Sequence, residues 1–127
     1  MKVLALDYGS ARTGVAVSDP TGSVARPLCV VEQAGTEAGL TRLREVVRDE
    51  EAERVVVGLP LTLRGIRGEQ ARETEQFVQR LRAAVDVPVE TFDERFTTKL
   101  AGGGLHNDAR AAAHLLSSYL EWSGRRS

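Results

Sequence analysis

Apolar positions along this chain switch repeatedly between short unbroken runs and helical spacing, and the switches mark its elements. Val3, Leu4, Ala5 and Leu6 are apolar without alternation, as in a central strand covered on both faces. Asp7 closes the run, Gly9 permits a tight turn, and residues 13–18 read as a second strand. Residues 24–31 read as a third, with Pro27 favouring a sheet edge because it cannot donate to a ladder. From Thr36 to about Glu50, Leu40, Leu43, Val46 and Val47 share one helical face. Residues 54–58 form a short buried strand that Pro60 ends, and residues 61–68, with Gly65 and Gly68, read as a loop. A second amphipathic helix is expected over residues 69–84, anchored by Phe77, Val78 and Leu81, then a fifth strand over 87–92. A short helical turn is expected from Thr97. Residues 108–122 read as a last helix carrying Ala111, Ala112, Leu115, Leu116, Tyr119 and Leu120.

Short links between the first three strands imply an antiparallel meander. The strand–helix alternation that follows implies right-handed parallel crossovers. Together they predict one α/β domain over residues 1–127, with a five-stranded mixed sheet of order 3-2-1-4-5 and helices on both faces. In such sheets ligands gather at the carboxyl ends of the parallel strands. Those ends are Asp7, the turn at Gly58, Leu59 and Pro60, and Asp93 with Glu94.

Composition narrows the function classes. A length of 127 residues fits one domain, and 42% apolar residues suffice for a core. No stretch is apolar for long enough to span a bilayer, and Met1 and Lys2 lead directly into a strand without a signal-peptide layout. These features predict a cytoplasmic protein with no membrane partner. Cys29 is the sole cysteine, which excludes an internal disulfide framework and a cysteine-rich zinc site. It reads as a small apolar residue rather than a nucleophile. The net charge of −1 argues against a strongly electrostatic nucleic-acid binder. The balance is uneven, acidic over residues 32–54 and mildly basic from Arg95 onward.

Asp7 is the first candidate for chemistry. A carboxylate at the end of a buried strand is costly to desolvate unless donors or a cation meet it. The plain alternative is an Asx-type turn, with Asp7 bonding amides near Gly9. Asp93 and Glu94 leave the fifth strand, and one of them is a candidate to join Asp7 around a divalent cation; strand parity does not choose between them. Asp108 opens the last helix, as an N-cap or as a third carboxylate reaching the sheet edge. Clustered carboxylates need cations to stay ionised together. Mg²⁺ or Mn²⁺ suits oxygen ligands, and two such ions about 4 Å apart serve in-line displacement at phosphorus. His114 reads as a helix-surface residue and His106 as a weak candidate for proton transfer. No serine has an elbow or a base partner for acyl transfer.

The strings Leu6-Asp-Tyr-Gly9, Arg12-Thr-Gly-Val-Ala-Val-Ser-Asp-Pro20, Val56-Val-Gly-Leu-Pro60, Asp93-Glu-Arg-Phe-Thr-Thr98 and Asp108-Ala-Arg-Ala-Ala112 resemble, in order, the motifs of the YqgF/RuvX family. That family has the RNase H-like fold and is similar to the RuvC-type resolvases. The resemblance implies a nuclease maturing the 5′ end of pre-16S ribosomal RNA, or a Holliday junction resolvase cutting branched DNA. It implies Asp7, Glu94 or Asp93, and Asp108 as acidic metal ligands. Arg12, Arg95, Thr97 and Thr98 match recurrent positions near that site, and Arg12, Arg95 and Arg110 are the expected phosphate contacts. The segment 99–107 departs from the family's longer Lys/Arg-rich loop and contains Gly102-Gly103-Gly104 instead.

Several functions share these features. The first is a nuclease working on pre-rRNA, with ribosomal precursor particles as partners. The second is a junction resolvase, which requires a homodimer to make two symmetric cuts; the nuclease could act as a monomer. The third is a silent binding module for nucleic acid or ribosome assembly. The sugar-kinase and actin-like superfamily also places Asp and Gly after its first strand, but binds nucleotide between two such domains, and 127 residues supply one.

Overall fold

The computed structural model describes residues 1–60, 68–94 and 108–126. The elements are β1 (Val3–Asp7), β2 (Arg12–Ser18), β3 (Ala25–Glu32), α1 (Glu37–Asp49), β4 (Arg54–Leu59), α2 (Glu69–Ala84), β5 (Val89–Asp93) and α3 (Asp108–Arg126). They form a five-stranded sheet in the expected order, β3-β2-β1-β4-β5. β2 runs antiparallel to β1 and β3, while β4 is parallel to β1 and β5 is parallel to β4. The structural neighbours reported below share this RNase H-like fold.

Period-2 alternation divides the strand residues between two cores. On one face Leu4, Leu6, Val15, Val17, Val55 and Val57 meet Leu43, Val46 and Val47 of α1 and Phe77, Val78 and Leu81 of α2. On the other face Val3, Ala5, Ala16, Val56 and Phe92 meet Ala112, Leu115, Leu116 and Tyr119 of α3. The central strands are apolar at consecutive positions because both faces are covered.

α1 begins at the expected cap: the Thr36 side chain accepts from the Gly39 amide. Pro27 lies in the edge strand β3, next to a bulge. There Val15 pairs with Cys29 and Ala16 with Pro27, leaving Leu28 as the extra residue.

Most boundaries fall within one residue of the sequence expectation, and two differ by more. β5 starts at Val89 rather than Val87. Pro88 has no amide to donate, and only its carbonyl joins the ladder region, accepting from Val55 N at 2.9 Å. α3 runs to Arg126 rather than Trp122. Gly124 adopts no positive φ, so it continues the helix instead of capping it. The expected loop over residues 61–67 and the turn from Thr97 lie outside the described residues. Among the described residues, no helix is long and apolar enough to cross a membrane.

Candidate active site

Asp7 ends the central strand. Val3 and Ala5 face α3, and alternation puts Asp7 on the same face. In the sheet Asp7 pairs with Gly14 of β2. On its other side β1 pairs Leu6 with Val57 of β4, so the next position in that register is Gly58. Asp7 is therefore flanked by glycines on both neighbouring strands. Each glycine leaves room for one of the other acids. A Cβ at Gly14 would lie 1.8 Å from the Asp108 carbonyl oxygen, and a Cβ at Gly58 would lie 2.6 Å from Glu94 Oε1. The first turn of α3 therefore rests on Gly14, and the Glu94 carboxylate rests on Gly58, with Asp7 between them.

The electrostatics follow from that placement. Burial pushes the Asp7 carboxyl above its ordinary value of 3.8; a hydrogen bond with Glu94 opposes the rise, and the charge of Asp108 adds to it. Two carboxyl groups hydrogen-bonded to each other need a proton between them. Asp108 is the first residue inside α3, and its Oδ2 pairs with Arg12 Nε at 3.4 Å. Among the described residues, no three His, Cys, Asp or Glu side chains stand close enough to close a metal shell. The Asp7–Glu94 pair offers carboxylate oxygens only, which suits a hard divalent cation such as Mg²⁺ or Mn²⁺.

The turn after Asp7 is closed by another residue. Thr13 is fully buried. Its Oγ1 accepts from Gly9 N at 3.4 Å and donates to Gly9 O at 3.3 Å. Gly9 is needed here, since a Cβ would lie 2.5 Å from the Arg12 carbonyl oxygen. Thr13 thus meets the Gly9 amide that the Asx-turn alternative assigned to Asp7, and the Asp7 carboxyl turns toward Glu94. Beside these acids lies a cavity of about 250 Å³, lined by Asp7, Tyr8, Gly9, Ser10 and Pro60, by Gln70, Glu73 and Thr74 of α2, and by Glu94.

Other residues singled out in the sequence fall in different places. Asp93 pairs with Leu59 at the end of β5. Alternation from Val89, which belongs to the α1–α2 core, puts it on the face opposite Phe92 and α3. Arg110 is exposed on α3, where it lines a shallow cavity of about 210 Å³ with Pro27, Ala113, His114 and Ser117. His114 is not the plain surface residue expected: its Nε2 is buried and has no hydrogen-bond partner among the described residues. Cys29 is partly buried, and that burial pushes its thiol pKa up, which makes it a poor nucleophile. Arg95, Thr97, Thr98, His106 and the shortened segment 99–107 lie outside the described residues.

Sequence reasoning placed Gly58 at the site edge without seeing why a glycine stands there, and missed Gly14, Thr13 and Glu73. The glycines carried a readable signal, because a glycine inside an otherwise valine-rich buried strand marks close approach of another group. Glu73 carried none, since it looks like any exposed acid on an amphipathic helix.

A family model described as RuvX, Holliday junction resolvase, matches residues 1–122. A Chloroflexus aurantiacus protein named "Putative pre-16S rRNA nuclease" is 39% identical over 131 residues, covering 94% of this chain and 86% of that protein. A Rubrobacter xylanophilus protein of the same name is 45% identical over 134 residues, covering 97% and 94%. Among solved structures, RuvC from T. thermophilus in complex with a Holliday junction substrate superposes with a TM-score of 0.64 at 21% identity, covering 98% of this chain and 96% of that one. That likeness establishes the fold. On the extent of the family match and the identity to these relatives, the chain belongs to the RuvX (YqgF) family.

Proposed function

We propose that this protein is a divalent-metal-dependent nuclease that hydrolyses phosphodiester bonds of structured nucleic acid, with 5′-end maturation of pre-16S ribosomal RNA as its role. The observation that carries the reading is the placement of Asp7 between two glycines, with Glu94 over one and the start of α3 over the other. Two buried strands that each give up a side chain to bring acids together have a use for the acids. The names of the relatives point to the same substrate.

Asp7 and Glu94 are the proposed ligands of Mg²⁺ or Mn²⁺, and Asp108 is the third carboxylate. When bound, the cation supplies Lewis-acid polarisation of the scissile phosphoryl group and an activated water. The chain's own residues do the rest. Asp7 and Glu94 would hold the cation through their carboxylate oxygens, and the raised Asp7 carboxyl would have to be ionised to do so. Asp108, paired with Arg12 in this structure, would join the ligand set only by giving up that pair, which would leave the Arg12 guanidinium available to a phosphate oxygen as a bidentate donor. Asp93, on the other face of β5, is the alternate ligand to Glu94. Arg95, Thr97, Thr98 and Arg110 remain proposed contacts to nucleic acid.

The family description favours a second substrate, a four-way DNA junction. Side-by-side cleavage of a pre-ribosomal leader RNA and a four-way junction in Mn²⁺, with Asp7→Asn as control, tests both. Cleavage of the leader alone supports maturation, and paired symmetric cuts in the junction support resolution by a homodimer. Activity retained in Asp7→Asn would point to a contaminating enzyme or a binding module. Action on pre-ribosomal RNA implies a cytoplasmic protein that meets ribosomal precursor particles.

A further inference from the structure

A second cavity of about 240 Å³ adjoins the acidic one and shares Tyr8 and Ser10 with it; its remaining lining is Gln33, Gly35, Thr36 and Arg80. The two differ in charge. Among the described residues, the charged lining of the acidic cavity is Asp7, Glu73 and Glu94, and that of the second is Arg80. Both of its strongest donors are held in place. Tyr8 stacks on the fully buried Phe77, with ring centroids 4.3 Å apart and planes at 17°. Arg80 Nη1 donates to the Gly35 carbonyl at 2.7 Å. The loop beneath them is fixed as well. Gln33, at φ 48, donates its amide to Ala11 O at 2.9 Å, and Thr36 N donates to Gln33 O at 3.0 Å.

The donors converge on one point. A Cβ at Gly35 would stand 3.4 Å from Tyr8 Oη and 3.5 Å from Arg80 Nη1. A phenol and a guanidinium beside one small space, with Ser10 also lining it, are the elements of an oxyanion receptor; the Thr36 hydroxyl is not among them, since it donates to Gln33 O. We propose that this cavity binds the backbone phosphate next to the scissile one on the same strand, with Tyr8 Oη and Arg80 as its donors. The inference rests on the nuclease reading, because a strand with its scissile phosphate at Asp7 and Glu94 reaches the second cavity across Tyr8 and Ser10. Tyr8 and Arg80 are therefore substrate-positioning residues.

Three substitutions in the full chain test this. Gly35→Ala puts a methyl group at the point of convergence, at ordinary contact distances and without a positive φ. Tyr8→Phe removes one donor and keeps the stack. Arg80→Met removes the other. The readout is cleavage of a labelled single-stranded leader RNA, and of the same RNA with one neutral methylphosphonate linkage beside the cleaved bond. Melting temperature serves as the check on folding. Each variant is expected to raise KM about tenfold, the loss of one charge-assisted hydrogen bond, with kcat near wild type. Arg80→Met should lower the slope of log affinity against log salt by about 0.7. The wild type should discriminate against the methylphosphonate RNA, and the variants should not. Folded variants with wild-type KM that still discriminate overturn the subsite. If Gly35→Ala lowers the melting temperature, Tyr8→Phe decides the matter alone. A wild-type chain that cleaves no nucleic acid sinks the nuclease reading itself, whereas active wild type with indifferent variants sinks the subsite only.

Discussion

A methyl group on Gly58 would stand 2.6 Å from Glu94 Oε1, 3.0 Å from its Cγ and 3.1 Å from Leu115 Cδ2. All three are side-chain atoms, so Gly58→Ala displaces side chains and spares the backbone. Gly58 has no positive φ, so alanine fits its conformation. Alanine gains about 0.5–1 kcal/mol over glycine inside a strand. Overpacking returns about 1–3 kcal/mol, at the low end here because the Glu94 carboxylate can swing away. The net change in stability is therefore within about 1 kcal/mol. The site responds differently. Glu94 must retreat by on the order of 1 Å, and a displacement of that size at a reacting centre costs ~100-fold in rate, equivalent to about 2.7 kcal/mol of barrier. The assay is metal-dependent cleavage of leader RNA by wild type and Gly58→Ala, beside their melting curves. A variant that melts with the wild type and cleaves at its rate would refute the argument that Gly58 exists to seat Glu94.

Gly14→Ala should behave in the opposite way: its Cβ would meet the Asp108 backbone at 1.8 and 2.2 Å, α3 must move, and the melting curve should show a loss of ~3 kcal/mol or more. Asp7→Asn should abolish cleavage and stabilise the protein in the absence of metal. The raised carboxyl makes the wild type lose stability as pH rises from 3.8 through the folded pKa, so the gap in melting temperature between variant and wild type should be small below that window, widen across it and then level off. Phe77→Ala removes a fully buried ring and should cost about 3–5 kcal/mol in denaturant titration, while freeing Tyr8 from its stack. Chelation of divalent metal should stop cleavage and Mg²⁺ or Mn²⁺ should restore it, as measured by product yield on dialysed protein.

Much of the fold was legible because local and global signals agree. The unbroken apolar runs at Val3–Leu6 and Val55–Val57 belong to strands buried on both faces, and the short links between the first three strands left little choice of topology. The missed boundaries come from single residues whose effect depends on context. Pro88 keeps Val87 out of the ladder although its apolar neighbours suggest a strand, and Gly124 lacks the left-handed conformation that would have ended α3. At the site, Asp7 was legible from its position alone. Which face of β5 Asp93 takes was not, because it depends on Phe92 being packed against Tyr119 on the α3 face, with ring centroids 5.6 Å apart. His114 was misread for a similar reason: its flanking residues do not reveal that its Nε2 is covered.

Net charge and local charge lead to a single requirement for substrate binding. A chain of net charge −1 has no overall field to draw a polyanion. The cavity beside Asp7 adds Glu73 and Glu94 to that acid, so a phosphate entering it meets repulsion. Arg12, the nearest cation in the described site, is engaged with Asp108. On the proposed reading, a divalent cation on the acids would remove the repulsion and free Arg12 together. Cation and phosphate would then favour each other at this site, and linkage makes the effect reciprocal: substrate is expected to raise metal affinity by the factor by which metal raises substrate affinity. A near-neutral nuclease built in this way would gain its hold on nucleic acid at the catalytic centre, from a cation and the few donors around it.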